Sequence, residues 1–161
     1  NVRDAAIIEV LYSTGCRVSE LCGLKKSDVD WNAKTVQIFG KGKKRRASYL
    51  NAKAEVHLRE YLDSRTDDSE YLFISRRGVH GMTPAGIQKV LRDMGKALGG
   101  KVGKSVTPHV FRHTTATQAL RSGMPVEDIQ ALLGHANIET TMVYARTCAE
   151  SVQANHKKYV V

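Results

Sequence analysis

Two Thr-Pro dipeptides constrain this chain more than any other feature. At Thr83-Pro84 and Thr107-Pro108 a hydroxyl able to cap a helix precedes a proline whose fixed φ suits the first helical turn. Each pair predicts a helix start. The first helix runs to about Leu98, and the second carries HVFRHTTATQALRSG. Pro125 then opens VEDIQALLGH, and Asn137 caps IETTMVYAR. Upstream, apolar residues at helical spacing over 4–13 stop at Gly15, a left-handed C-cap candidate. Residues 17–22 form a second short helix ended by Gly23, and residues 52–64 form another.

The β signal is confined to a small region. Residues 35–39 (TVQIF) and 46–50 (RASYL) flank GKGKKR, which reads as a hairpin tip, and YLFIS at 71–75 reads as a third strand. Gly99, Gly100 and Gly103, with Lys101 and Lys104, make a flexible basic loop, and residues 149–161 a weak terminal helix. The expected fold class is α+β, mainly α-helical with a small three-stranded antiparallel sheet. One domain accounts for 161 residues, and a hydrophobic content of 42% excludes a mostly disordered chain.

Charge narrows the partner. Lys and Arg number 25 against 16 Asp and Glu, a net charge of +9. Such an excess points to a polyanion, nucleic acid above all, although a merely basic soluble surface fits it as well. No run approaches the ~18 apolar residues of a membrane span, and no charged-then-apolar leader opens the chain. Cys16, Cys22 and Cys148 form no CxxC pair and read as reduced thiols of a cytoplasmic protein.

Several residue groups can carry chemistry, and each has a plainer reading beside it. Five of the six residues from Lys41 to Arg46 are basic, either a solvated cluster or, with Gly40 and Gly42 beside Lys41, a close approach to an anion. No GxxxxGK[ST] motif supports ATP binding. His109 and Arg112 stand three apart at a helix start, on one face, suited to a phosphate or to a surface ion pair. His109 and His113 have the spacing of a zinc-binding helix, but Val110 stands where its Glu belongs, so no metal and no cofactor is expected. His135 can be a helix C-terminal residue favoured by the dipole, and Tyr144, nine residues on, a core aromatic.

Taken together, TGCRVSEL (14–21), FGKGKK (39–44), HVFRHTTAT (109–117) and LLGHANIETTMVY (132–144) resemble, in that order, the boxes of the tyrosine site-specific recombinases, the phage and conjugative-transposon integrases and Xer-type enzymes. The resemblance covers essentially the whole chain. It implies a tyrosine recombinase catalytic domain over 1–161, without the N-terminal DNA-clamping domain usual in the family. It further implies double-stranded DNA as partner and self-association into dimers or tetramers on it, residues 145–161 being a candidate docking segment for a neighbouring subunit.

The resemblance also implies roles. Arg17 and Arg112 resemble the arginines that hold the scissile phosphate, Tyr144 the nucleophile, and Lys41 the hairpin lysine that protonates the leaving 5′-oxygen. His109 and His135 resemble the residues that assist proton transfer and hydrogen-bond the phosphate. Glu20 matches an acidic position expected to orient Arg17, and His113 is expected to be structural. Tyr49-Leu50 replaces the family's frequent Pro-Leu, which leaves the choice of Lys41 over Lys43 open. Lys43, Lys44, Arg45, Arg46, Lys101 and Lys104 are expected to meet backbone phosphates. Two alternatives stand: a type IB topoisomerase with the same chemistry, and a non-catalytic helix-turn-helix module over ATQALRSGMPVEDIQALLGH.

Overall fold

The computed structural model describes residues 1–76, 78, 80–99 and 106–146, the side chains of 144–146 excepted. Helix α1 (Val2–Thr14) is capped by the Asn1 side chain and ends on Gly15, whose φ of 60° is left-handed as anticipated. The short α2 (Val18–Gly23) begins after Arg17. Strands β1 (Val29–Asp30), β2 (Thr35–Phe39) and β3 (Arg45–Tyr49) follow, then α3 (Ala52–Asp63). Helices α4 (Pro84–Ala97) and α5 (Pro108–Arg121) start at the two prolines, with the Thr83 and Thr107 hydroxyls accepting from Gly86 N and Val110 N. Helices α6 (Val126–Leu133) and α7 (Ile138–Arg146) complete the described chain, and the Asn137 side chain accepts from Glu139 N.

The sheet is antiparallel in the order β1-β2-β3, and Phe39 pairs with Arg45 across the hairpin. Three strands were expected, but the third is not 71–75. Tyr71 and Ile74 make only isolated bridges, to Lys25 and Gly81, while Val29–Asp30 pairs with Val36 and Thr35. The reason is physical. Leu72, Phe73 and Ile74 are a wholly buried run whose backbone finds scattered partners: Leu72 N donates to Leu24 O, Met82 N to Phe73 O, and the Arg65 guanidinium to the carbonyls of Tyr71 and Leu72. A short apolar run looks the same in a buried strand and in such a core plug. A two-residue strand, in turn, is too short to show alternation.

The main core gathers Ile7, Leu11, Leu21, Ile38, Leu58 and Leu91, among others, so that α1, α2, the sheet, α3 and α4 share one interior. Tyr61 stacks on Phe73 at 5.6 Å between ring centres within it. A smaller cluster of Ala116, Ile129 and Leu133 joins α5 to α6. The two meet at Gly15: a Cβ there would lie 2.6 Å from the Leu133 side chain, so only glycine satisfies both the backbone angle and the close approach of α6. Among the described residues, no helix is long and apolar enough to cross a membrane.

Candidate functional site

The ends of α1 and α6 are drawn together by one side chain. Arg112, buried to 6% exposure on α5, donates from Nη1 to Gly15 O at 2.6 Å and from Nη2 to Leu133 O at 2.7 Å. Both carbonyls lie at helix C-termini, where acceptors lack intrahelical donors and a cation is favoured. The bonds hold the planar guanidinium in one orientation. Arg17, two residues beyond Gly15, is half exposed at the mouth of a cleft.

That cleft has a volume of about 920 Å³ and is lined by Arg17, Glu20, Lys41, Arg46, Gly134 and His135, among others. Lys41 sits exposed on the hairpin tip, in a turn closed by the Gly40 N–H donating to Lys44 O. Lys43, Lys44 and Arg45 are exposed on the same tip, and Arg45 lies over the Phe39 ring at 5.5 Å.

Arg46 separates from its neighbours. The sequence groups it with the cations expected to face phosphates, yet its side chain is 13% exposed and held within the protein. Nη1 and Nη2 donate to the two Glu20 carboxylate oxygens at 2.9 and 2.8 Å, and Nε donates to Leu132 O at 3.0 Å. The fork geometry matches a carboxylate. The reason is alternation: on β3, Arg46 and Ser48 turn inward while Arg45 and Ala47 face outward.

Glu20 is therefore the hub of the site. It accepts from Arg17 N at 2.8 Å, from the Arg17 guanidinium at 3.2 Å and from both arms of Arg46. Burial raises its carboxyl pKa, but the Arg46 and Arg17 hydrogen bonds and charges outweigh burial, and the net shift is downward. The acid bonds both the backbone and the guanidinium of Arg17, and fastens the hairpin strand to α2 as well.

His135 lies just past the left-handed Gly134 cap of α6, and its Nδ1 is 2.7 Å from the Thr141 hydroxyl on α7. Its pKa is lowered to about 4, first by burial and then by the charges of Arg112, Arg17 and Arg46. Three arginines from distant parts of the chain thus act on one imidazole. In the unfolded chain the imidazole titrates near 6.5. Between the two values the unfolded state binds a proton that the folded state does not, so this group's contribution to stability is complete above 6.5 and is lost as pH falls through about 4. The His135 ring-proton NMR titration is expected to have its midpoint near 4, and a midpoint of 6.5 or higher would contradict this electrostatic picture.

The other expected site residues distribute as follows. His109 is exposed on the first turn of α5, one turn before Arg112, outside the residues lining the cleft. His113 is exposed on the same helix. Tyr144 lies on α7, one turn beyond Thr141. Lys101, Lys104, Cys148 and the 147–161 part of the tail fall outside the described residues. Among the described residues no three His, Cys, Asp or Glu side chains gather as a metal site. Sequence reasoning missed two groups, Arg46 as an internal tie and Thr141. The inward parity of β3 signalled the first; nothing in the sequence singles out Thr141 from Thr140 beside it.

The chemistry available is that of an anion site: two guanidiniums and an ammonium close to a neutral imidazole that can exchange hydrogen bonds without adding charge. Residues 1–150 match the model of the phage integrase family. The chain is 36% identical, over 98% of its length, to tyrosine recombinase XerC of Leptospira interrogans, and covers 50% of that protein. It is similar to the crystal structure of XerA recombinase, with a TM-score of 0.86 and 39% identity over 99% of this chain and 58% of that one. It is also similar to the XerH site-specific recombinase bound to its difH substrate in a pre-cleavage complex, with a TM-score of 0.76 and 29% identity over 89% of this chain and 42% of that one. The chain spans about half the length of the curated relatives it matches.

Proposed function

The chain belongs to the phage integrase family, and from that premise we propose that residues 1–161 form the catalytic domain of a tyrosine site-specific recombinase. In this reading it cuts and rejoins double-stranded DNA through a 3′-phosphotyrosyl intermediate. The observation that carries the reading is the cleft lined together by Arg17, Lys41, Arg46 and His135, with Arg112 bonded to the carbonyl of Leu133, two residues before His135.

The residues divide the reaction by their chemistry. Arg17 and Arg112 neutralise the nonbridging oxygens and orient the phosphorus. Arg112 suits this task because its two carbonyl bonds hold it in place before the substrate arrives. The Tyr144 oxygen attacks phosphorus and the 5′-oxygen leaves. Phenol is protonated at neutral pH, so a histidine accepts its proton. Lys41 supplies a proton to the departing 5′-oxygen. Attack by a second 5′-hydroxyl releases Tyr144 and restores the phosphodiester, so the bond count is unchanged and no nucleotide is consumed.

Lys43, Lys44, Arg45, Lys101 and Lys104 contact backbone phosphates and make binding salt-dependent. Copies of the chain assemble on DNA, with residues 145–161 as the docking segment, and the protein works in the cytoplasm. The family match and the cleft weigh against a helix-turn-helix module without chemistry. Exchange of strands between two duplexes, rather than relaxation of one supercoiled circle, distinguishes the reading from a type IB topoisomerase.

The test is a duplex nicked close to the cleavage point, from which the short 5′-hydroxyl fragment diffuses away after cleavage. A denaturant-resistant protein–DNA adduct is expected, with the nucleotide mapped to the Tyr144 peptide by mass spectrometry. An adduct on another residue, or none on any target duplex tested with the full-length protein, would overturn the assignment.

A further inference from the structure

We propose that Thr141 is a positioning residue that fixes His135 in its Nε2–H tautomer, so that the imidazole meets the scissile phosphate as a hydrogen-bond donor. The phosphate half of this statement rests on the recombinase reading above; the tautomer does not.

The inference starts from a buried hydroxyl that turns away from its own helix and meets an imidazole. Helical threonines commonly turn the hydroxyl back to the carbonyl four residues earlier. Thr14 and Thr114 do so here, bonding Val10 O and Val110 O at 2.7 Å each, and Thr115 reaches Phe111 O at 2.9 Å as well as Tyr12 O at 2.6 Å. Thr141 does not. It is fully buried, and among the described residues its one hydrogen-bond partner is His135 Nδ1, at 2.7 Å.

A buried hydroxyl carries one proton and needs an acceptor for it. A neutral imidazole has one donor nitrogen and one acceptor nitrogen. If Nδ1 carried the proton, the Thr141 hydrogen would face no acceptor among the described residues. If Nδ1 is the acceptor, the Thr141 proton is satisfied and the ring proton sits on Nε2. Burial first, and then the charges of Arg112, Arg17 and Arg46, disfavour the third possibility, a doubly protonated ring at neutral pH.

The consequence is a division of labour between the two histidines. An imidazole protonated on Nε2 donates to a phosphoryl oxygen and cannot take the tyrosine proton at that nitrogen. That leaves His109, one turn before Arg112 on α5, as the histidine for proton transfer. The Thr141 bond also ties His135 to α7, the helix that carries Tyr144. Donor and nucleophile are thereby placed by one element.

The experiment uses Thr141→Val, which keeps the shape and removes the hydroxyl, and Thr141→Ser, which restores it. Long-range ¹H–¹⁵N correlation spectra of the wild-type chain at neutral pH are expected to show His135 with its proton on Nε2. In Thr141→Val the tautomers mix, and adduct formation on saturating nicked duplex slows about tenfold or more, with DNA affinity unchanged. Thr141→Ser recovers both the tautomer and the rate.

A wild-type proton on Nδ1 would overturn the proposal, whether or not the valine variant folds. So would an unaltered tautomer in a folded Thr141→Val chain. A wild-type protein that forms no adduct on any duplex would fail the recombinase reading alone, and the spectra would still decide the hydrogen bond.

Discussion

Arg112→Ala is expected to abolish cleavage and to cost about 3–5 kcal/mol of stability, because one side chain serves both. Its hydrogen bonds to the carbonyls of Gly15 and Leu133, at 2.6 and 2.7 Å, are charge-assisted and buried. Each such bond contributes about 1.5–3 kcal/mol, and deletion leaves the carbonyls of Gly15 and Leu133 without their donor. The catalytic loss is larger. Removing one preorganised donor from developing charge slows reactions by about 10²–10³, and here a full positive charge leaves with it.

Arg112→Lys separates the two effects. The ammonium keeps the charge, but it is a point donor and cannot span two carbonyls and a phosphate as a planar fork does. Stability is expected to recover in part and cleavage hardly at all. Urea unfolding and the rate of adduct formation measure the two separately. Cleavage within tenfold of wild type in the alanine variant would remove Arg112 from the site.

Glu20→Ala is expected to destabilise the chain by a similar amount, about 3–5 kcal/mol, through a different cause. Glu20 and Arg46 have side chains 4% and 13% exposed, joined by two hydrogen bonds. Deleting the acid leaves a buried guanidinium with only Leu132 O as a described partner. The variant also frees Arg17 from the carboxylate that orients it.

The double variant Glu20→Ala/Arg46→Met identifies the cause. Replacing both members of a buried pair by apolar groups is often close to neutral, whereas removing one is not. The double variant is therefore expected to regain most of the lost stability. Its cleavage should remain low, because Arg17 is still unrestrained and the hairpin is no longer tied to α2. Strict additivity of the two single losses would show that the pair does not act as a unit.

These expectations rest on residues of unequal visibility in the sequence. Helix starts were legible wherever capping is local: Thr83, Thr107 and Asn137 each accept from a backbone N–H two or three residues on. The hairpin was legible for the same reason, its tip lying between two alternating segments. The 71–75 segment was not, because a buried apolar run carries no period that separates strand from plug. Arg46 was misplaced because charge counting ignores strand parity, which puts Arg46 on the same face of β3 as the buried Ser48.

By itself the sequence determined the order of helices, the hairpin and the family boxes. These follow from interactions spanning a few residues, or from motifs whose order along the chain is the signal. Only the tertiary structure decided that Arg112 is fixed by Gly15 and Leu133, that Glu20 belongs to Arg46 as well as to Arg17, and that the Thr141 hydroxyl meets His135. A hydrogen bond between side chains brought together from separate helices depends on the packing that brings them together. No local rule contains it.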